Sequence, residues 1–278
     1  MIEPLLAGDA LLADIEAATR DQPDALHVWW LGQSGFLCVS GGERVALDPY
    51  LTDSLTEKYS GTDKPHVRMT RRVVEPERLG GIAVVTSSHN HTDHLDAGTL
   101  GGLAQANPAL QLVLPSVNIE FAANRLGRAI SNPIFVGIEI GQTREVAGIK
   151  FTAIPAAHDD LNASTIGFLV RWNGWTILHP GDTIPYAGMD DWVKDAGVDV
   201  ALLPINGRLP ERRVAGNLWG DEAARWAKAA GAKVAVPCHY DMFAFNTETP
   251  TLFETTCQAI GQPFRTLQAG ERLTLFPT

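Results

Sequence analysis

The stretch SSHNHTDHLD, residues 87–96, follows directly on the apolar run IAVVT at 82–86. It gathers three of the chain's eight histidines, His89, His91 and His94, around Asp93. A short apolar run rich in β-branched residues reads as a buried strand. Side chains at i, i+2 and i+4 of an extended chain share a face, which predicts His89, His91 and Asp93 on one side of the strand's end. His94 joins them only if the chain turns. Asp96, read as the N-cap of a helix over AGTLGGLAQA at 97–106, supplies such a turn. A lone histidine here would most often be solvated. H-x-H-x-D-H after a buried strand is instead a metal-ligand pattern, and imidazole with carboxylate suits zinc, iron, manganese or cobalt better than calcium.

Upstream, HVWWLGQSGFLCVSGGERVALDPYL reads as successive antiparallel strands turning at LGQSG and at Gly41-Gly42. The N-terminal MIEPLLAGDALLADIEAATR has helical apolar spacing and gives a lead-in helix within 1–24, while 51–78 lacks periodicity and reads as a loop insertion. Downstream, QLVLP is a strand and 116–126 a helix. The second half repeats the order. Hairpins turn at Ala147-Gly148 and Asn173-Gly174, and strand–helix alternation follows through DVALLPIN, WGDEAARWAKAAGAK, VAVPCHY and a helix near 250–260. FRTLQ and RLTLF are expected to close the chain as a hairpin at Ala269-Gly270. Strands first and alternation second, in each half, predicts two face-to-face sheets with helices outside. That is an α/β protein with a four-layer αββα sandwich. No linker separates the halves, so 1–278 is expected to be one domain.

HNHTDH at 89–94 resembles the metal-binding motif of the metallo-β-lactamase superfamily, whose fold is that sandwich. The resemblance implies further ligands in order along the chain: His158 in IPAAHDD, Asp182 in HPGDT and His239 in VPCHYD. It implies His89, His91 and His158 at one ion, Asp93, His94 and His239 at a second, and Asp182 between them. It also implies that Asp48, in VALDPYL, orients His89 by accepting the ring N–H that faces away from the metal. WWLGQSGFLC, LDPYL, LLPINGR, GNLWGDEAARWA and PCHYDMFAFNT are similar to the L-ascorbate-6-phosphate lactonase-like branch of metal-dependent hydrolases. That likeness implies a cyclic ester as substrate, such as a phosphorylated sugar lactone. The cofactor expected is two divalent ions, zinc or manganese, with iron compatible.

Two ions about 3.5–4 Å apart hold a hydroxide and polarise the bond it attacks. Asp93 is the expected ligand that orients this nucleophile, and Tyr240 the second catalytic candidate. Asn206 and Arg208 are the expected substrate contacts, with Arg212 and Arg213 as further cations. Cys238 neighbours His239 on a strand, so it faces the core if His239 faces the metals. His179 is read as buried near the site rather than ligating, and His27 and His66 lack supporting context. Trp29, Trp30, Trp192 and Trp219 fit core packing, or else a homo-oligomer interface.

A net charge of −10 excludes a broad phosphate-backbone surface, so the partner expected is a small, anionic molecule and not nucleic acid. No apolar run approaches the ~20 residues of a membrane span. Three scattered cysteines and an acidic N-terminus without a basic n-region point to the cytoplasm. A small-molecule phosphodiesterase on the same scaffold is the nearest alternative. A redox di-iron protein fits less well, since oxygen-reducing relatives place glutamate where this chain keeps His91. A secreted β-lactamase lacks its signal here, and a purely structural zinc site would be richer in cysteine. A non-catalytic metal-dependent binding protein would be expected to have lost ligands.

Overall fold

The computed structural model describes residues 1–277. Helix α1 (Gly8–Asp21) leads in, then strands β1 (Leu26–Gly32), β2 (Gly35–Ser40) and β3 (Glu43–Leu47) run antiparallel. Helix α2 (Ser54–Tyr59), β4 (Ile82–Thr86), α3 (Ala97–Ala106), β5 (Gln111–Pro115), α4 (Ile119–Leu126) and β6 (Phe135–Ile138) complete the first half. The second half has β7 (Thr143–Val146), β8 (Ile149–Ala157), β9 (Leu161–Trp172) and β10 (Trp175–His179). It ends with β11 (Val200–Pro204), α5 (Gly220–Ala229), β12 (Val234–Cys238), α6 (Thr251–Ile260) and β13 (Arg272–Leu275).

The strands form a seven-stranded sheet, β13-β1-β2-β3-β4-β5-β6, and a six-stranded sheet, β12-β11-β10-β9-β8-β7. One hydrophobic cluster joins them, with Trp29, Phe36, Val84 and Leu112 from the first and Phe151, Phe168, Ile177 and Leu202 from the second. Strands β1 and β2 are buried along their whole length because both their faces are covered. On the side of α1, Leu11 and Ile15 are buried and the Trp29 indole N–H donates to Asp14 at 2.9 Å. Helix α5 packs on β11, β12 and α6. The expected α/β sandwich is therefore the fold.

Topology positions the site. Two antiparallel steps, β1 to β2 to β3, leave β1 and β3 pointing the same way, and β3 pairs parallel with β4. The C-terminal ends of β1, β3 and β4 thus share one edge. By the same logic β8, β10, β11 and β12 all end on one edge of the other sheet. Open α/β sheets commonly place ligands at such carboxyl ends.

Three expectations need correction. FRTLQ is not a strand: Phe264 makes only an isolated bridge with Ala235, and β13 pairs with β1 instead. The 51–78 stretch is more ordered than a bare loop, containing α2 and tied down by Arg68, which bridges to Phe243 and pairs with Asp53 at 2.5 Å. The histidine motif is not extended. His94 N–H and Leu95 N–H both donate to His91 O, at 3.1 and 2.8 Å, so 91–95 is a helical turn. Beyond it, Asp96 caps α3 as expected, accepting from Thr99 N at 2.8 Å.

Asp96 does more than cap. Its carboxylate also accepts from the Thr99, Thr52 and Ser54 hydroxyls at 2.7–2.8 Å, fastening the start of the 51–78 stretch to the helix after the motif. A lost cap costs about 1 kcal/mol, and leaving the buried Thr99 and half-buried Thr52 and Ser54 hydroxyls without this acceptor adds a similar amount. Asp96→Ala is expected to lower stability by about 2–3 kcal/mol in denaturant unfolding. A loss below ~0.5 kcal/mol, the range of an ordinary surface substitution, would show that the tether is not structural.

Candidate metal centre

Seven side chains converge where the two sets of strand ends meet. His89, His91, Asp93 and His94 come from the turn after β4, His158 follows β8, Asp182 follows β10, and His239 follows β12. Donor atoms of His89, His91 and His158 lie within 4.8 Å of one another, as do those of His89, His94 and Asp182, and those of Asp93, His94 and His239. His158 Nε2 faces His91 Nδ1 at 3.1 Å. Asp182 reaches both ways: Oδ2 lies 3.1 Å from His239 Nε2 and 3.7 Å from His158 Nε2, and Oδ1 lies 3.4 Å from His94 Nε2.

The backbone explains why these residues can meet. Gly181 has φ +62°, and a Cβ there would lie 2.5 Å from Ser88. Glycine before Asp182 is what lets the second sheet's turn close on the histidine motif. His239 (φ 63°), Asp48 (φ 39°) and Gln33 (φ 52°) are non-glycine residues with left-handed backbone around the same centre. Such strain clusters at functional sites, where packing holds it in place.

Two of the imidazoles are held from behind by an acceptor on Nδ1. His158 Nδ1 donates to Gly216 O at 2.9 Å, leaving Nε2 as a bare lone pair facing the centre. His94 Nδ1 donates to Asp48 Oδ2 at 2.7 Å, which does the same for its Nε2. The Nε2 atoms of His89 and His94 are fully buried and have no hydrogen-bond partner in the protein. Unpaired buried polar atoms are costly and rare. Lone pairs turned inward beside two carboxylates therefore fit a bound cation, and the donor set fits a divalent transition metal. Burial holds His89 well below the usual histidine range, and burial likewise lowers His158. Both are thereby kept as the neutral ligand form.

Asp48 is placed differently from the expectation. It contacts His94, and it reaches His89 only through the Ser88 hydroxyl, which lies 3.0 Å from His89 Nδ1. The helical turn at 91–95 carries His94 back over the end of β3, which an extended motif would not do. Burial alone would raise the Asp48 carboxyl, but the His94 hydrogen bond, the charges of His179 and His94, and Ser88 bring it down to about 2. His179 donates from Nε2 to Ser34 O at 2.9 Å and stays outside the cluster. The Cys238 thiol is buried, and burial holds its pKa well above the usual thiol range, so it is core rather than ligand.

The substrate-contact expectations are corrected. Tyr240 points away from the centre, donating to Leu267 O at 2.5 Å and packing on Trp30. Asn206 is fully buried, its amide spent between Asn246 and Asn217 at 3.0 and 2.9 Å. Arg208 is a fork on Glu222, both nitrogens at 2.6 Å, and Glu222 in turn accepts the Trp219 N–H that opens α5. It anchors a helix. Arg212 is similarly spent on Glu248 and on backbone carbonyls. Of the three arginines only Arg213 lines the cleft over the centre, together with Lys58 and Arg125.

Sequence reasoning missed Gln33. Its side chain donates from Nε2 to Asp93 Oδ2 at 2.8 Å, lies 3.1 Å from His239 Nε2, and lines the cleft. Its neighbour Ser34 donates to Asp182 Oδ1 at 3.3 Å. The signal was the polar Gln-Ser pair in LGQSG, interrupting two wholly buried strands. Trp29 and Trp30 are core, and Trp192 is partly exposed.

The two-sheet fold with histidines and aspartates at its strand ends defines a protein of the metallo-β-lactamase class. The Beta-lactamase superfamily domain family matches residues 43–240, and the chain belongs to it as a metal-dependent hydrolase. It is 30% identical over 225 residues to a UPF0173 metal-dependent hydrolase of Methanoregula boonei, covering 78% of this chain and 82% of that one. A UPF0173 metal-dependent hydrolase of Pyrococcus abyssi is 26% identical over 258 residues, 90% of this chain and all (100%) of the other. Among solved structures, Igni18, a metallo hydrolase from Ignicoccus hospitalis, superposes with TM-score 0.67 at 21% identity, covering 91% of this chain and 100% of that chain. No helix among the described residues is long and apolar enough to cross a membrane.

Proposed function

We propose that the chain hydrolyses a lactone or other cyclic ester, of the phosphorylated sugar lactone type, at a centre of two divalent ions, zinc or manganese. The observation that carries this reading is Asp182, whose two oxygens face His94 on one side and His158 and His239 on the other, between two complete sets of three ligands. His89, His91 and His158 would hold one ion, and Asp93, His94 and His239 the other. When bound, such ions lower the pKa of water towards 7 and polarise the bond under attack.

The chain's own residues supply position and selection. Gln33 fixes the Asp93 carboxylate, so that this cleft-lining group is held in one rotamer. Asp48 and Gly216 O fix His94 and His158. The cleft above is about 530 Å³ and is bordered by Lys58, Arg125 and Arg213. That volume suits a small molecule. Lys58 has no carboxylate partner among the described residues, in a chain of net charge −10, which favours an anionic substrate with phosphate at the mouth. The small-molecule partner and the lactone both rest on this cleft together with the sequence likeness.

Protein purified without chelator is to be assayed for bound metals and for turnover of sugar lactones, aryl esters and bis-aryl phosphates. About two ions per chain and lactone turnover lost in His91→Ala are expected. Turnover of the bis-aryl phosphate alone would replace the lactone with a small phosphodiester.

A further inference from the structure

His66 had no role in the sequence, yet it lines the cleft together with His91 and Asp93. It is only 8% exposed and sits in an aromatic box. Its ring stacks on Tyr59 with centroids 4.1 Å apart and meets Phe245 and Phe243 edge-on at 4.5 and 5.2 Å. None of these neighbours spends the ring's polarity. Nδ1 lies 3.1 Å from Lys64 O, and a carbonyl oxygen only accepts, so the proton of the neutral ring is on Nδ1. Nε2 is left as an acceptor. It has no partner among the described residues and is not one of the sealed, partnerless atoms, so it opens to the cleft. Burial lowers the pKa of His66, which keeps the ring neutral and Nε2 unprotonated at pH 7.

We propose that His66 Nε2, set in the Tyr59–Phe245 wall, is a substrate subsite that selects hydroxylated rings by accepting a hydrogen bond from a ring hydroxyl. A polyhydroxylated ring offers both halves of the match. Its C–H face covers aromatic surface, and one of its hydroxyls donates to Nε2. A ring without hydroxyls would leave Nε2 buried and unpaired, the situation in which polar sites discriminate most strongly. The inference deepens the lactone reading and rests on it for the chemistry at the metals. The aromatic wall comes from α2, from the 51–78 stretch and from the loop after His239, so the subsite and the metal centre are built from different segments.

The test uses D-glucono-1,5-lactam, a stable amide analogue of a sugar lactone, and piperidin-2-one, the same ring without hydroxyls. Binding to metal-loaded protein is followed by calorimetry and by the nitrogen-15 signals of histidine-labelled protein. His66→Phe keeps the ring and the stack but removes the acceptor, and His66→Gln returns an acceptor. Gluconolactam affinity is expected to fall about tenfold in H66F and to recover in H66Q. Metal content is expected to hold, and the His66 Nε2 signal to move with gluconolactam only. Equal weakening of both ligands in H66F, or no gluconolactam binding to the wild type, would overturn the subsite. Selective gluconolactam binding without turnover of any lactone would retain the subsite and remove the lactonase reading alone.

Discussion

Asp182→Asn is expected to reduce hydrolysis by about a thousandfold or more while the protein stays folded and holds about one ion per chain instead of two. The size follows from what one carboxylate does in this geometry. Among the described residues, Asp182 is the only one whose two oxygens lie within 3.8 Å of histidine nitrogens belonging to both proposed ligand sets. Burial alone would raise its carboxyl, but the charges and hydrogen bonds of His239 and His94 hold it well below the usual carboxylate range, so it meets the histidines as an anion. An amide of the same shape keeps one acceptor and loses the charge. Any cation held between the histidines then loses that counter-charge. Water in bulk and water on a catalytic ion differ by about nine pKa units, so loss of one ion of a pair removes far more rate than loss of a single hydrogen bond. The measurement is elemental analysis of wild type and D182N side by side, with turnover of the best substrate. Two ions retained with near-normal turnover would mean that Asp182 does not join the two halves.

Much of this arrangement could be read from the chain. The strand-then-alternation order of each half gave the sandwich, because strand and helix periodicities depend on local spacing. The candidate ligand motif at 89–94 was visible from its spacing after β4, and the resemblance to the metallo-β-lactamase superfamily pointed to His158, Asp182 and His239 near later strand ends. What failed depended on which strand ends become neighbours. Asp48 pairs with His94 rather than His89 because residues 91–95 turn helically, and the spacing of an extended chain misplaces His94. Gln33 reaches Asp93 across 60 positions only because β1, β3 and β4 end on one edge. Arg208 was misread because an arginine near a strand end carries no local mark that its partner, Glu222, opens the next helix. Tyr240 is a different kind of error. Strand β12 ends at Cys238 and the backbone turns left-handed at His239 (φ 63°), so Tyr240 leaves the strand's line and spends its hydroxyl on Leu267 O. His66 carried no signal in the sequence, since its box needs Phe243 and Phe245, far along the chain, to meet Tyr59.

Asp48→Asn, a substitution of one atom, is expected to weaken metal binding by about 10–100-fold and to destabilise the protein by about 3 kcal/mol. Every group facing Asp48 is a donor. Thr86 Oγ1 donates to Oδ1 at 2.6 Å, Ser88 N–H to both oxygens at 3.1–3.2 Å, and the Ser88 hydroxyl and His94 Nδ1 donate to Oδ2. The residue is fully buried, so no water replaces a lost partner. An asparagine turns one oxygen into an NH2 group and sets donor against donor whichever way it flips. If the amide nitrogen faces His94, that imidazole must release its Nδ1 proton or rotate, and its Nε2 then leaves the orientation the metal needs. If it faces Thr86, the hydroxyl loses its acceptor and the end of β3 loosens from β4. Backbone strain is not the cause, since asparagine tolerates the left-handed conformation found at Asp48 (φ 39°) as well as aspartate does. A destabilisation of that size corresponds to a fall in Tm of roughly 5–10 °C for a chain of this length. The loss of metal affinity, read by competition with a chelator, separates the two effects, because a purely structural defect would lower Tm without moving the chelator midpoint of the folded fraction. Asp48→Ala removes the donor clash but leaves the same donors unpaired. It is expected to match Asp48→Asn in metal affinity, and a normal affinity in either variant would show that the aspartate does not hold His94 for the metal.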